Sequence, residues 1–360
     1  MQKAANTCVP AAFKLIDTQL AEVRQVIDSL LADSSLSGLN GATGDMLSYL
    51  RRQICTGKML RPGLVLLSHR LISSQRQKKQ SQPSTGSYDG SRHSDVLIRA
   101  AAVIELIHNA TLLHDDVIDG GLQRRQRATI NSLWGNESAV LLGDLLLGGV
   151  FKMCADLGLE LSAVIADCAV RTCEGELRQI ARAKDKKVWS LSESEYIDII
   201  TEKSAVLFSS SCVVGGLVAG ANQRQRQALA DFGLNAGIAF QIADDLLDII
   251  GDQDKTGKTL GTDAAKTKLT LAVIHFLKTA ENLQKTALIK ELSGGHQDKQ
   301  AFVSMLRSAG SMEYAGRQAE GYADKAVSAL GDFEQNEITE AMIDTARFMA
   351  QRANIDISET

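Results

Sequence analysis

The sequence has little proline. Only three prolines occur, and the last of them is Pro83, so residues 84–360 contain none. A strand-rich protein of this size usually needs more turn residues, whereas long proline-free stretches suit helices. This scarcity argues against a fold built from β-sheets.

An excess of charge of one sign is also lacking. The 43 acidic residues nearly balance the 39 basic ones, which leaves a formal net charge of −4. The broad positive surface that binds nucleic acid is therefore absent. We expect no nucleic-acid partner, and we expect any anionic ligand to be held by a local group of basic side chains.

The six cysteines are scattered and include no Cys-x-x-Cys pair. This spacing disfavours both a zinc site and a disulfide framework, so we expect reduced thiols. The N-terminal residues lack the leucine-rich run of a secretory signal, and we therefore expect a cytoplasmic protein. The longest uncharged stretch, residues 204–223, is rich in serine and glycine, which favours a buried helix over a membrane span.

Apolar residues recur at helical spacing in several long segments. The clearest runs from Val96 to Leu113. The others cover residues 11–31, 139–153, 196–218, 228–250 and 315–330. Because strand-like alternation is scarce, the sequence predicts an all-α fold in a single domain over residues 1–360.

One segment interrupts this helical pattern. Residues 73–94 are polar and low in complexity, which predicts a mobile surface loop or insertion. Ser94 or Asp95 then supplies a suitable N-cap for the helix that follows.

Two acidic motifs of the form DDxxD close two of the helical segments. The first spans Asp115–Asp119 and the second spans Asp244–Asp248. In a helix, residues four apart lie on one face, so the first and last aspartates of each motif point the same way. Carboxylates at this spacing repel each other, and a divalent cation removes that repulsion. Magnesium fits best, because it binds through a few carboxylates, its own waters and substrate phosphates.

A simpler interpretation is that each motif is a solvated helix end. Two copies, each preceded by apolar residues, favour instead two opposed groups of carboxylates with a diphosphate and metal ions between them. The spacing is not that of an EF-hand, which alternates its ligands along a loop and closes it with a glutamate.

A diphosphate also needs cations from the protein. Arg124 and Arg125 follow the first motif, and arginine is suited to bidentate phosphate contacts. Two further basic segments are residues 57–62 (GKMLRP), in which Pro62 can open the next helix at its first position, and the glycine-bearing loop at residues 251–263, which Lys268 follows. Separate groups of basic residues indicate two diphosphates rather than one.

The segments around the two motifs resemble those of one enzyme family, the trans-isoprenyl (polyprenyl) diphosphate synthases of the long-chain type. The resemblance extends over nearly the whole chain. Its most specific segments are residues 105–119 (ELIHNATLLHDDVID) and 240–248 (FQIADDLLD). Supporting segments are residues 57–62, 133–147 (LWGNESAVLLGDLLL), 174–179 (EGELRQ), 203–208 (KSAVLF) and 313–330 (EYAGRQAEGYADKAVSAL).

The resemblance implies a fold, a reaction and a cofactor. The fold is the isoprenoid synthase fold, a helical bundle around a deep central apolar cavity, usually found as a homodimer. The reaction condenses isopentenyl diphosphate with an allylic diphosphate of the farnesyl or geranylgeranyl class by ionisation, condensation and elimination. The cofactor is Mg²⁺, about three ions per active site, which stabilises the departing diphosphate.

The resemblance also implies roles for individual residues. The metal ligands would be Asp115, Asp116, Asp119, Asp244 and Asp248. The catalytic group would combine Asp115, Asp116, Asp119 and Asp244 with Lys203 and Lys258. The allylic diphosphate would contact Arg124, Lys203 and Lys258, and isopentenyl diphosphate would contact Lys58, Arg61, His108 and Arg125. Ser204, Gln241 and Lys268 would also bind substrate, and Gln179 would join Ser204 and Gln241 in lining the reacting centre.

Two of these segments depart from the family pattern. Met59 stands where a basic residue is usual, and Ser204 stands where threonine is usual. Neither change removes a predicted metal ligand, so we expect an active enzyme.

The residues before the first motif line the pocket floor in this family. Here they are Ala110 and Thr111, with Ile107 one helical turn earlier in the chain, and none of them is aromatic. Small residues leave the cavity open, so we expect an all-trans product longer than geranylgeranyl diphosphate. Phenylalanine at Ala110 or Thr111 should shorten it.

Three alternatives stay open. The first is a geranylgeranyl diphosphate synthase, which makes a shorter product. The second is a terpene cyclase or a squalene-synthase-like enzyme, although the complete second DDxxD motif and the isopentenyl diphosphate residues argue against it. The third is a regulatory subunit of a hetero-oligomeric synthase, which the presence of all six aspartates disfavours.

Overall fold

The computed structural model describes residues 10–32, 41–79, 90–124, 127–185, 188–250, 269–293 and 298–352. Within these ranges almost all regular structure is helical. The strands form one short antiparallel hairpin, in which β1 (Gln123–Arg124) pairs with β2 (Arg127–Ala128). The predicted all-α fold is confirmed.

The first half of the chain begins with a 3₁₀ turn, Ala11–Ile16. Its helices are α1 (Asp17–Ala32), α2 (Ala42–Cys55), α3 (Leu60–Lys79), α4 (Gly90–Ile118), α5 (Ile130–Trp134), α6 (Asn136–Leu157) and α7 (Leu159–Ala183). The hairpin lies between α4 and α5, directly behind the first aspartate motif.

In the second half, α8 (Glu193–Ile200) continues through a π-helical turn, Thr201–Ala205, into α9 (Val206–Val218). A capping box on Ser192 and Glu195 fixes the start of α8. The remaining helices are α10 (Gln223–Ile250), α11 (Leu271–Thr279), α12 (Asn282–Ser293), α13 (Lys299–Ser308), α14 (Ser311–Ala329) and α15 (Glu337–Gln351).

Helices α4 and α10 lie at the centre of the bundle, and each carries an aspartate motif at its C-terminal end. Helix α4 packs against α6, α3, α1 and α9, and α10 packs against α14, α9 and α15. Every residue from Ala100 to Ile104 is fully buried. Burial of apolar surface contributes about 25 cal/mol per Å². Because the bodies of both helices are held in this way, their charged ends are fixed in position.

Two glycines bring neighbouring helices unusually close to the π-helical turn. A Cβ atom on Gly175 of α7 would lie 2.3 Å from the backbone nitrogen of Lys203. A Cβ atom on Gly237 of α10 would lie 2.7 Å from the Cα atom of Ala205. Both distances are shorter than any side chain tolerates, so only glycine fits without a shift of the backbone. The π-helical turn is therefore held firmly between α7 and α10.

Both ends of the loop predicted at residues 73–94 are helical instead. Residues 73–79 belong to α3 and residues 90–94 begin α4, while residues 80–89 lie outside the described part of the chain. The end of α3 is polar but consists largely of glutamine, arginine and lysine, which are good helix formers. Polarity alone therefore did not mark the end of the helix.

Two predicted helix starts also differ from the structure. Because α4 begins at Gly90, Ser94 and Asp95 lie inside it instead of capping it. Because α3 begins at Leu60, Pro62 is its third residue rather than its first. A proline is tolerated there, since the first four N–H groups of a helix have no partner within the helix.

Two of the described helices are long and apolar enough to cross a membrane. One is Ser94–Ile118 within α4, which is 72% buried, as a core helix is. The other is α6, which is only 33% buried. The uncharged stretch at residues 204–223 is not among them, and most of it forms the buried helix α9, as predicted.

Candidate active site

Arg124 on β1 links the two aspartate motifs electrostatically. Burial opposes its charge, but nearby carboxylates outweigh this effect and raise its pKa. These carboxylates belong to Asp116, Asp115 and Asp244. One arginine can respond to both motifs only when the ends of α4 and α10 face a common space. The structure therefore brings together two motifs that are far apart in the chain.

Asp116 anchors this arginine. The Nε and Nη2 atoms of Arg124 donate to Oδ1 of Asp116 at 3.0 and 2.8 Å. Asp116 is buried, and Asn131 of α5 donates to its backbone carbonyl at 3.1 Å. Such charge-assisted hydrogen bonds are strong and hold both side chains in a defined orientation. The guanidinium is thereby held next to the space between the motifs.

Asp115 of the first motif has a strongly raised pKa. Its pKa is raised from an ordinary value of 3.8 to about 6. Burial is the largest cause, and the carboxylates of Glu176 and Asp119 act in the same direction, while Lys203 and Arg124 oppose them. The ionised form is therefore costly in the protein alone, and a bound cation would remove that cost.

Lys203 reaches the first motif from the π-helical turn. Its Nζ atom donates to Oε1 of Gln179 at 2.7 Å and forms an ion pair with Glu176. Next to it, Arg171 of α7 holds Glu202 through two bonds of 2.7 and 3.0 Å. A π-helical turn is rare and is often found at functional sites. Here it presents the ammonium of Lys203 near Asp115.

The second motif has different neighbours. Both oxygens of Asp245 accept hydrogen bonds from neutral donors, at 2.7 Å from Tyr196 and at 2.8 Å from Gln241. Asp244 lies 3.6 Å from a guanidinium nitrogen of Arg352. The guanidinium carbon of Arg352 also lies 4.5 Å from the centre of the Phe240 ring. Asp244 and Asp248 are half-buried.

Three of the predicted isopentenyl diphosphate residues lie just before α3, in its first turn and on α4. Arg61 is 9% exposed, and its guanidinium carbon lies 4.2 Å from the centre of the Phe208 ring. Lys58 and His108 are half-buried. Met59 between the two basic residues is buried with a left-handed φ of 53°, a conformation that is uncommon for a residue with a side chain. Met59, which stands where a basic residue is usual in the family, therefore packs its apolar side chain inside the protein.

Three predicted site residues lie outside the described part of the chain. They are Arg125, Lys258 and Lys268. Their proposed contacts with diphosphate stay predictions.

The three predicted chain-length residues occupy different environments. Ala110 and Ile107 are each 1% exposed and belong to the apolar core. Thr111 is half-buried, and its hydroxyl donates to the backbone carbonyl of His108 at 2.8 Å. A large residue at Ala110 would overpack the core, whereas Thr111 still has accessible surface one turn from Asp115.

Three residues for which the sequence predicted no role contact the predicted site residues. Glu176 pairs with Lys203, Tyr196 donates to Asp245, and Arg352 lies beside Asp244. Glu176 belongs to the segment EGELRQ that supported the resemblance, so a signal for it was present. The other two lie far from both motifs in the chain, and nothing in the spacing pointed to them.

The residues present fit a magnesium ion. Among the described residues, no three acidic, histidine or cysteine side chains converge closely enough to form a ready-made metal site. Magnesium does not need one, because it keeps several waters and shares its coordination with substrate phosphates. The raised pKa of Asp115 supports the fit, since a carboxylate that is costly to ionise alone is stabilised by a cation.

Two open depressions on the described surface lie away from these residues. The larger has a volume of about 640 Å³, and Glu22, Ile98, Arg99 and Met153 are among its lining residues. The smaller, of about 270 Å³, lies between α14 and α15. Neither is lined by an aspartate of the two motifs.

The sequence profile of the family described as "Polyprenyl synthetase" matches residues 45–308. A curated relative, the octaprenyl diphosphate synthase of Escherichia coli strain K12, is 33% identical over 299 residues, which cover 82% of this chain and 86% of that protein. The geranylgeranyl diphosphate synthase of Saccharolobus solfataricus is 32% identical over 305 residues, covering 82% of this chain and 86% of the relative.

The fold of a solved structure is similar to that of this chain along almost its whole length. It is the polyprenyl synthase from Caulobacter crescentus CB15 complexed with calcium and isoprenyl diphosphate, with a TM-score of 0.81 and 28% identity. The alignment covers 98% of this chain and 100% of that one. The observed bundle therefore has the all-α isoprenoid synthase fold that the resemblance implied.

Proposed function

From the premise that the chain belongs to the polyprenyl synthetase family, we propose that its two aspartate motifs and Lys203 ionise an allylic diphosphate for chain elongation. The protein is a trans-prenyltransferase that joins isopentenyl diphosphate to an allylic diphosphate. The observation that carries the proposed site is that carboxylates of both motifs raise the pKa of Arg124, which Asp116 holds directly. It supports a single diphosphate-binding centre between α4 and α10.

The proposed mechanism assigns one task to each group of residues. Asp115, Asp119, Asp244 and Asp248 would hold Mg²⁺, which would supply the charge that stabilises the departing diphosphate. Arg124 and Lys203 contact the same diphosphate from the protein side. Asp116 fixes Arg124 through the bonds described above and is the fifth predicted metal ligand.

The second substrate binds at a separate set of cations. Lys58, Arg61 and His108 hold the diphosphate of isopentenyl diphosphate, so that its double bond lies next to the allylic cation. The released diphosphate then accepts the proton that is lost in the elimination. The burial of Arg61 and Asp116 supports a site from which most water is excluded.

We test this centre with the purified chain, farnesyl diphosphate, labelled isopentenyl diphosphate and Mg²⁺. Elongation is expected for the wild type and a loss of about 10³-fold for Asp244→Ala, because a charge-stabilising group is removed. Asp231→Ala on the same helix is the matched control and should keep full activity, since Asp231 lies far from the motif. A wild-type chain that elongates nothing alone would favour the regulatory-subunit alternative.

We propose a product longer than geranylgeranyl diphosphate. Relatives of almost equal identity carry names with different product lengths, so overall similarity does not decide the question. The accessible surface of Thr111 supports an open pocket below Asp115. Thr111→Phe should shorten the product by about one isoprene unit per blocked helical turn of about 5.4 Å. Mass spectrometry of the products checks this, and an unchanged product length would contradict it.

We propose a homodimer in solution. Among the described residues, every exposed large apolar side chain except Leu283 lies between Ile118 and Leu177. Leu141 and Phe151 of α6 are 66% and 73% exposed. Large apolar side chains that are exposed and concentrated in one part of the chain indicate an interaction surface. A second copy of the chain would cover it, and this also explains why α6 is apolar without spanning a membrane.

Light scattering tests the dimer. Leu141→Glu should halve the mass in solution, whereas Leu283→Glu on α12, a site of similar exposure outside this face, should leave it unchanged. Binding of the wild type to liposomes at a monomer mass would instead assign the face to a membrane.

We propose the cytoplasm as the compartment. All five cysteines in the described ranges are free thiols. Burial raises the pKa of Cys168 to about 11 and that of Cys212 to about 12, so both thiols are inert. Free thiols of this kind persist where the environment is reducing.

A further inference from the structure

The carboxylate of Glu176 lies beside the reacting centre without a function in the mechanism above. It is on α7, its side chain is 13% exposed, and it forms an ion pair with Lys203. Its charge also contributes to the raised pKa of Asp115, which places it close to the first motif. A nearly buried acid next to a site that must bind diphosphate opposes the ligand unless it serves another purpose.

The local backbone leaves Lys203 little freedom to choose another partner. Glu176 and Gln179 are three residues apart, so they lie on the same face of α7 and both reach the ammonium. Gly175 allows α7 to approach the backbone of Lys203 directly. The Arg171–Glu202 pair fixes the preceding residue of the π-helical turn. Lys203 is therefore held at its base by the turn and at its tip by Glu176 and Gln179.

The positions of the charges around Lys203 suggest what Glu176 contributes. The ammonium of Lys203 lies near two acids, Asp115 and Glu176. When Asp115 binds a cation, its attraction for Lys203 weakens, and the ion pair with Glu176 then keeps the ammonium in place. Without that pair, a flexible lysine has many rotamers and loses its fixed position.

We propose that Glu176 is a positioning residue that holds Lys203 in place against the allylic diphosphate as it ionises. The inference rests on the diphosphate contact proposed for Lys203 and assigns no metal ligand to Glu176. A displacement of a catalytic group by about 1 Å costs up to roughly 100-fold in rate. Because isopentenyl diphosphate is proposed to bind at the other set of cations, the loss should appear in kcat and leave its KM unchanged.

The test is a double-mutant cycle on the purified enzyme with farnesyl diphosphate, isopentenyl diphosphate and saturating Mg²⁺. The variants are Glu176→Gln, Lys203→Gln and the double variant, with Glu176→Asp as the conservative change. Glu176→Gln keeps the size of the side chain but removes its charge. Glu174→Gln is the matched control, because Glu174 is exposed on the same helix. Thermal denaturation of each variant checks that it is folded.

We expect Glu176→Gln to lower kcat by about 10- to 100-fold, with the KM for isopentenyl diphosphate within about twofold of wild type. Glu176→Asp should recover part of the rate. In the Lys203→Gln background, the same Glu176 change should cost less than about twofold, because its effect acts through the lysine.

Two results would overturn the proposal while leaving the proposed function intact. One is that Glu176→Gln lowers kcat by the same 10- to 100-fold factor in the wild-type enzyme and in the Lys203→Gln variant. The other is a large rise in the Mg²⁺ concentration needed for half-maximal activity in both backgrounds, which would make Glu176 a metal ligand. If Lys203→Gln itself keeps the wild-type rate, the function proposed for Lys203 fails, and the positioning of that lysine has no catalytic consequence.

Discussion

The two aspartate motifs have the same spacing but different neighbours. Around the first motif, Arg124 and Lys203 approach the carboxylates, and a further acid, Glu176, pairs with the lysine. In the second, the middle aspartate is held by two neutral donors, Tyr196 and Gln241. The first motif therefore lies among charged side chains that can bind an ionic ligand. Asp245 of the second motif serves mainly to fix the local structure.

The largest expected effect is a difference in kcat between substitutions of Asp115 and of Asp245. Asp115→Asn should lower kcat by about 10³-fold, because it removes a metal ligand and a charge that stabilises the reacting centre. Asp245→Asn should cost only about tenfold, since its amide oxygen still accepts the bond from Tyr196. Steady-state kinetics at saturating Mg²⁺ measures both. Equal losses in the two variants would remove the distinction between the motifs.

The next effect concerns stability and its dependence on pH. The folded-state pKa of Asp115 is raised, so its ionisation disfavours the folded protein above about pH 6, and this penalty disappears as the pH falls towards 3.8. At pH 7.5 and without metal, Asp115→Asn should therefore increase the free energy of unfolding by about 3 kcal/mol. The gain should shrink at pH 5.

Urea denaturation at the two pH values measures this gain. Added Mg²⁺ should stabilise the wild type more than the variant, because only the wild type offers the carboxylate. A difference between wild type and variant that is the same at both pH values would contradict the burial of Asp115 as its cause.

The smallest expected effect comes from the support of the second motif. Tyr196→Phe removes one hydrogen bond to Asp245 and should lower the free energy of unfolding by about 1 kcal/mol, with a loss of kcat of only a few-fold. Tyr322→Phe, which removes the hydroxyl of a half-buried tyrosine on α14, is the control. A loss of activity as large as that of Asp115→Asn would show that Asp245 acts directly on the substrate.

Much of the fold and of the site could be predicted from the sequence. The 3.6-residue apolar period of the segments before each motif is a local property, so α4 and α10 and their acidic ends were predicted correctly. The limits of the polar segment at residues 73–94 were not, because its residues permit both helix and loop. Prediction also gave Lys203 a function without showing what holds it, because its partners lie on another helix.

The amino-acid sequence by itself determined which residues form helices and which of them carry charge, since both depend on neighbours along the chain. Only the tertiary structure decided that the pKa of Asp115 is raised, that Asp245 accepts a hydrogen bond from Tyr196, and that Glu176 pairs with Lys203. These properties depend on burial and on distances between helices. Two motifs of the same spacing therefore acquire different chemistry from their surroundings.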